Sequence, residues 1–372
     1  MGTITQTIAN NLTTGLGADV SGINFRNIII NGDMSIAQRG TSESGITNEG
    51  NTFVIDRFAW QENGGMTSTF TMSQDTDVPA GYGFSKSLKL DCTATDTPAT
   101  DERLRIQTMF EGQNLQYLKK GTANAESWTL SFWVKSSKTG TYIVNFRDED
   151  NSRIVSKAYT ISSASTWEKK TITVAPDTTD PFDNDNAKSL TIAWLLAAGS
   201  SLQSGSLADV WQDYANANYA AGQVNFADST DNNFWITGVQ LESGTSASDF
   251  EFLPIDVNLK RCQRYYYKWV SINLYNNICI GKVTAVKTAR GVYQLPTIMR
   301  TSPSLTADGN FRMVAGGNSY GTGSDVSIER NNNDTQFLQF AFSSGTDSTS
   351  SQACEMGANN DTDAEIAFSA EL

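Results

Sequence analysis

Residues 128–134, Trp-Thr-Leu-Ser-Phe-Trp-Val, alternate large apolar with small polar side chains for most of their length. A period of two matches the pleat of a strand, whose successive side chains point to opposite faces, and not the 3.6-residue period of a helix. The run stops in Lys135-Ser136-Ser137-Lys138-Thr139-Gly140 and resumes as Thr141-Tyr142-Ile143-Val144-Asn145-Phe146, a hairpin turned at Gly140. Strand-like runs of this kind recur at 25–30, 56–60, 67–73, 87–92, 104–109, 127–135, 140–147, 153–161, 167–174, 189–195, 223–226 and 234–241. So many short strands broken by regular turn signals predict an all-β chain, with a jelly-roll β-sandwich over residues 25–255. Trp60, Trp128, Trp133, Trp167 and Trp235 are expected to fill its core. Three segments interrupt the pattern: a Thr, Ser, Glu and Gly loop from Arg39 to about Asn51, a short turn at 114–119, and a long loop or short helix at 204–221. A loop as long as the last is commonly functional.

The run at 234–241 closes this unit. A polar turn follows over 242–248, bent at Gly244, and then Asp249-Phe250-Glu251-Phe252, which Leu253-Pro254 ends. Residues 256–269 read as a connector, and its Lys260, Arg261 and Arg264 as solvated residues or as braces of the joint. Further strands at 265–275, 278–285, 291–295, 304–307, 311–314, 325–329, 336–342 and 365–372 make residues 270–372 a smaller C-terminal β-sandwich. A length of 372 residues accommodates two such units. Residues 1–24 are polar, small and glycine-spaced, without a hydrophobic period. They read as a short extended arm that orders against a partner chain, with Ile4, Ile8, Leu12 and Leu16 as its apolar contacts; the competing reading is a floppy terminus.

Composition narrows the chemistry. The chain carries a net charge of −13, which disfavours nucleic acid and anionic membrane as partners, since phosphate binding needs clustered Lys and Arg. It has no histidine, so Ser-His-Asp and Cys-His catalysis and histidine metal sites are excluded within it. Its four cysteines, Cys92, Cys262, Cys279 and Cys354, lie far apart and read as buried thiols. The first twenty residues lack the charged and apolar regions of a signal peptide, and no run approaches the ~18 apolar residues of a membrane span. Synthesis in the cytoplasm without membrane insertion is the expectation.

Several motifs are familiar together: Asn27-Ile28-Ile29-Ile30-Asn31-Gly32-Asp33-Met34 with Gln38-Arg39-Gly40; Asp56-Arg57-Phe58; Phe132-Trp133-Val134-Lys135-Ser136-Ser137; Thr166-Trp167-Glu168-Lys169; Ile236-Thr237-Gly238-Val239-Gln240-Leu241-Glu242-Ser243-Gly244; and Cys262-Gln263-Arg264-Tyr265-Tyr266. In this order, over 27–266, they resemble bacteriophage tail-fibre and virion-surface fibre proteins. Residues 296–303 and the closing Ala370-Glu371-Leu372 are similar to the terminal modules of such fibres. The resemblance implies a carbohydrate-binding-like jelly roll on a phage particle, assembled as a homotrimer and attached to host surface polysaccharide. Contact with other virion proteins would run through the arm. A capsid or tail decoration protein with no specific ligand is the alternative.

Sugar recognition uses flat aromatic faces and hydrogen-bonding side chains carried on loops. The loop at 204–221 offers Trp211, Asp213, Tyr214 and Tyr219 as carbohydrate-binding candidates; the competing reading is that they cover a sandwich edge. Calcium needs several oxygen ligands. The acidic turns at 148–150 and 180–185 lack the spacing of a calcium loop and read as solvated turns. The resemblance implies a structural calcium near the Asn-Gly-Asp opening in some modules, which makes Asp33 the metal candidate. No pair of carboxylates stands out for glycoside hydrolysis, so no enzymatic activity is expected.

Overall fold

The computed structural model describes residues 25–47, 50–285, 288–323, 326–328, 334–343 and 352–372. The arm residues Ile4, Ile8, Leu12 and Leu16 lie outside these. The first unit contains β1 (Ser42–Ile46), β2 (Gly50–Phe53), β3 (Ala59–Asn63), β4 (Thr69–Asp75), β5 (Ser87–Ala94), β6 (Arg103–Glu111), β7 (Trp128–Ser136), β8 (Gly140–Asp148), β9 (Arg153–Ile161), β10 (Glu168–Val174), β11 (Lys188–Ala198), β12 (Gln212–Asp213) and β13 (Asn233–Ser243). Among the described residues they form two antiparallel sheets, ordered β1-β4-β5-β13-β7-β10 and β12-β9-β8-β11-β6-β3-β2. The chain is all-β, as the period-two runs predict.

The alternation sets which face is buried. Trp128, Leu130, Phe132 and Val134 of β7 point inward, against Tyr142, Val144 and Phe146 of β8 and Leu190, Ile192 and Trp194 of β11. Phe132 meets Trp194 edge-on, with centroids 5.8 Å apart. Full burial of each large side chain contributes about 1.5–3 kcal/mol before entropy is counted. Trp60 joins this core. Trp133 and Trp235 do not, because Phe132, Val134, Phe234 and Ile236 already hold the inward positions of their strands, and Trp167 lies outside the core just before β10. Trp133 and Trp235 stand on the outer face, where Lys135 Nζ lies 4.1 Å from the Trp235 ring centroid. The indole N–H groups of Trp235 and Trp167 donate to Asp75 (3.0 Å) and Asp77 (2.9 Å).

Four further sequence expectations change. Residues 25–30 form no strand; Asn27 uses its side chain, donating to the Val239 carbonyl and accepting from the Leu241 N–H, while Ile28 and Ile29 are buried. The next residues fasten the segment to β13, where a Cβ on Gly32 would lie 2.0 Å from the Val239 carbonyl oxygen. The polar loop after Arg39 contains the edge strands β1 and β2, whose exposed side chains show no alternation. Residues 223–226 are irregular and lead into a 3-10 turn, Phe226–Asp228, capped by the Asn225 side chain. Asp148 is no solvated turn residue: it is fully buried, with Lys120 Nζ 2.6 Å from Oδ2. Lys120 also faces Asp177 at 3.3 Å, and Asp177 binds Arg153 at 3.0 Å.

The connector is helical. α1 (Ile255–Gln263) starts after Pro254 and buries Asn258 and Cys262, one turn apart. Beyond it come β14 (Tyr266–Val270), β15 (Asn277–Ala285), β16 (Thr288–Gln294), β17 (Ser304–Asp308), β18 (Phe311–Ala315), β19 (Asn318–Gly323), β20 (Val326–Ile328), β21 (Phe337–Ser343), β22 (Ala353–Ala358) and β23 (Glu365–Ser369). They pair as β14-β23-β17 and β19-β18-β22-β15-β16-β21-β20, around a separate core that includes Val283, Phe311, Met313, Met356, Ile366 and Phe368. All four cysteines are buried thiols.

Charged groups brace the joint between the two cores. Arg264 grips buried Glu111 with two bonds, of 2.7 and 2.6 Å, and the Tyr265 hydroxyl donates to the same carboxylate. Burial alone would raise the Glu111 pKa, but these donors hold it below its ordinary value. Arg57, 2% exposed, pairs with Glu371 and lies 3.5 Å from the Tyr265 ring centroid. Arg39 reaches Glu371 at 3.1 Å and stacks 3.6 Å from the Tyr266 ring centroid. Arg261 donates to the carbonyls of Asn27 and Ile28. Of Lys260, Arg261 and Arg264, Lys260 alone is exposed.

Candidate binding cleft

Every strand of a sandwich has an outer face, and on the seven-stranded sheet that face carries function-capable side chains. Inward Leu104 and Ile106 leave Arg103, Arg105 and Gln107 of β6 facing out. Strand register then places Gln61 of β3 beside Arg105, and Ala193 of β11 between Gln107 and Asn145 of β8. Residues 199–221 cross the same face. Leu202, Ala208, Tyr219 and Ala220 pack there on Ile143, Ile154 and Leu195, a small second core outside the sandwich. The loop stops short of β3 and leaves a cleft of about 300 Å³. Its floor is Gln61, Asn63, Arg103, Arg105, Asn145 and Arg147, and its wall is Tyr214 and Tyr219. That volume sits at the lower end of small-ligand sites, ~300–1,000 Å³.

The sequence candidates divide here. Tyr214 and Tyr219 line the cleft, with ring centroids 5.9 Å apart. Tyr219 is not the open platform expected: it is 3% exposed, and its hydroxyl accepts a 2.6 Å bond from Arg105 Nη1. Trp211 lies elsewhere, half-buried at the end of the sandwich against Trp128, with its N–H donating to the Ala175 carbonyl. It covers the core edge. Asp213 is almost fully exposed on β12 and faces Arg153 at 3.3 Å. The loop therefore supplies two of its four candidates to one site.

The cleft is cationic. Arg103, Arg105, Arg147 and Lys188 line it, against the single carboxylate of Glu149. The Arg147 guanidinium stacks 3.9 Å from the Tyr214 ring centroid, and that of Arg103 lies 5.3 Å from the Tyr219 ring centroid. Arg105 also holds Gln61. Burial would push the Tyr219 phenol up, but the charges of Arg105 and Arg103 outweigh it and hold the phenol below its ordinary pKa.

The polar lining is incompletely satisfied. The Nε atoms of Arg103, Arg105 and Arg147 and Oδ1 of Asn63 are buried without a hydrogen-bond partner. Asn145, 1% exposed, neighbours the Tyr219 hydroxyl and helps stabilise its deprotonated form, yet neither of its side-chain polar atoms completes a bond of normal geometry. Buried polar atoms are ordinarily paired, because an unmade bond costs about 1–3 kcal/mol. Several of these atoms lie along one cleft, with room beside them for water or a ligand. None of these residues stood out in the sequence, where they are ordinary polar members of alternating strands.

Two other regions compare poorly. A larger hollow of about 390 Å³ adjoins Phe25, Tyr117, Arg57, Arg261 and Arg264, but those arginines hold the joint together. Of the outer aromatics, Trp235 and Trp167 have their N–H groups taken by Asp75 and Asp77, Lys89 and Lys135 lie over the Trp235 ring, and Trp133 packs on Tyr82. Asp33 accepts from Ser35 (3.0 Å) and Asn258 (3.2 Å), and burial raises its pKa despite these bonds. Among the described residues no three carboxylate or thiol side chains gather as a metal site.

No family model and no curated protein matches this chain. Among solved structures, the enzymatically active domain of bacteriophage CBA120 tailspike protein 4 is 15% identical with a TM-score of 0.31; the match covers 59% of this chain and 22% of the tailspike chain. A CBM4 module is 12% identical over 57% of this chain and 98% of its own, TM-score 0.30. The family 11 carbohydrate-binding module of the Clostridium thermocellum cellulase Lic26A-Cel5E is 11% identical over 54% and 98%, TM-score 0.27. The chain thus spans about a fifth of the tailspike. The cleft's own residues, and not these distant likenesses, carry the functional reading.

Proposed function

We propose that this chain is a bacteriophage virion-surface protein, a tail fibre or receptor-binding fibre, that attaches to host surface polysaccharide through the cleft on its seven-stranded sheet. The observation that carries the binding half is the set of unpartnered buried amide and guanidinium groups beside Tyr214 and Tyr219. Sugars offer hydroxyls to such groups and a C–H face to an aromatic wall. The ordered motifs from Asn27 to Tyr266 support the virion half. In this reading residues 1–24 tether the chain to other virion proteins, and three copies assemble so that edge strands such as β1 and β2 are covered. In this reading the role is binding rather than hydrolysis: most glycoside hydrolases use a pair of carboxylates, and Glu149, held by Thr191 at 2.7 Å, is the one carboxylate lining the cleft.

Purified full-length protein should bind host surface polysaccharide and elute as a trimer by light scattering. Asn145→Ala and Tyr214→Ala should each weaken binding by about tenfold, the loss of one good polar or stacking contact, without changing strand content by circular dichroism. Unchanged affinity in both variants would remove the cleft from the proposal. Failure of the intact protein to bind any host surface would remove the receptor role and leave a decoration protein.

A further inference from the structure

We infer that the cleft is built for an acidic saccharide, one whose sugar ring carries a carboxylate. This rests on the saccharide reading above and deepens it. The chain as a whole is strongly acidic, at −13, yet this hollow gathers four cations around a single carboxylate, and unlike the arginines beside the larger hollow they do not brace the joint. A neutral sugar gives no reason for that inversion. The cations are also unspent. The Arg103 side chain forms no ion pair or hydrogen bond among the described residues; it lies over the Tyr219 ring. Arg147 and Lys188 share Glu149 at 3.8 and 3.6 Å, beyond hydrogen-bond range. Arg105 spends its terminal nitrogens on the neutral acceptors Tyr219 and Gln61.

The geometry favours a carboxylate over a diffuse attraction. Tyr214 and Tyr219 stack against Arg147 and Arg103 and so limit the orientations of the two guanidinium planes. A planar guanidinium fork pairs best with a planar two-oxygen acceptor. Asn145 and Asn63 supply neutral amide groups with unfilled bonding capacity, suited to the hydroxyls of the same ring. The division of labour is therefore arginine for the carboxylate, amides for hydroxyls and Tyr214 for the ring face.

Calorimetry of the full chain with oligogalacturonate, its neutral oligogalactose counterpart, sulfated oligogalactose and inorganic sulfate tests this. The uronate should bind about tenfold to a hundredfold more tightly than the neutral sugar, the worth of a charge-assisted bond, and lose that margin as salt rises. Arg103→Gln should erase most of the difference and Arg103→Lys should restore part of it, whereas Lys169→Gln on the opposite sheet should change nothing. Equal affinity for uronate and neutral sugar overturns the acidic preference but leaves saccharide binding standing. Preference for the sulfated sugar overturns the carboxylate assignment. Equal competition by free sulfate shows a bare anion site and overturns the proposal. If no saccharide binds in a panel extended to host polysaccharide, the saccharide reading fails with it.

Discussion

Lys120→Met should destabilise the first unit by about 3–5 kcal/mol, read as a lower urea midpoint at unchanged slope. The Lys120 side chain is 1% exposed and that of Asp148 0%, so the variant leaves a buried carboxylate without its cation. Two more acceptors are stranded with it, the carbonyls of Thr179 and Asp180, to which Lys120 donates at 3.1 and 2.5 Å. Asp177 keeps Arg153, so the damage centres on Asp148. Adding Asp148→Asn removes the orphaned charge, retains an oxygen for the Asn151 N–H, and should recover a large part of the loss. A loss under about 1 kcal/mol from Lys120→Met would show that water reaches the pair, against its burial in the structure. Acid acts on the same cluster. Burial alone would raise the Asp177 pKa, but its bond to Arg153 and the charge of Lys120 hold it below 3.8. Its contribution is complete above the unfolded-state pKa and is lost only as pH falls through the lower, folded value.

The second large effect is expected at the joint. Glu371→Ala removes the partner of Arg57, itself 2% exposed, and the close partner of Arg39. The cost should again be about 3–5 kcal/mol, because a cation is left buried against the Tyr265 ring and the Met109 carbonyl. Here the loss falls on the coupling of the two cores. Differential scanning calorimetry should show the C-terminal unit melting earlier, as a transition separate from the first unit. A single transition shifted as a whole would mean that Glu371 supports one core and not the contact between them.

Much of the architecture can be read from residue order because half-buried antiparallel strands alternate. The runs at 128–134, 140–147 and 153–161 lie within or closely match β7, β8 and β9 for that reason. Where alternation fails, so does the reading. β1 and β2 are exposed edge strands with no apolar face to reveal them. The β-branched run at 27–30 suggests a strand, yet the Asn27 side chain takes the bonds that a strand's backbone would make. α1 buries only Asn258 and Cys262, too little for a visible helical stripe. Phe132-Trp133-Val134 cannot all face inward, and the alternation of Trp128, Leu130, Phe132 and Val134 places Trp133 on the other face; expecting it in the core on size alone set that register aside.

The cleft was legible only through its aromatic wall. Tyr214 and Tyr219 stood out as rings in a long loop, although not which of that loop's rings would share a site. Asn145, Arg103 and Arg105 look like the polar half of any strand. Only the sheet order brings β3, β6, β8 and β11 side by side, and no spacing within one segment encodes it.

The Arg57–Glu371 pair joins positions 314 residues apart in the chain. On a ribosome adding about 5–20 residues each second, Arg57 emerges some 15–60 s before its partner exists. The first sandwich has all its strands by residue 243, so it has time to fold before the second core is translated. Throughout that interval the cations of the joint remain without Glu371, which keeps the unfinished surface hydrated. Contacts such as Arg264 with Glu111 are available earlier, so the Glu371 pairs are the last charged contacts of the joint to be made.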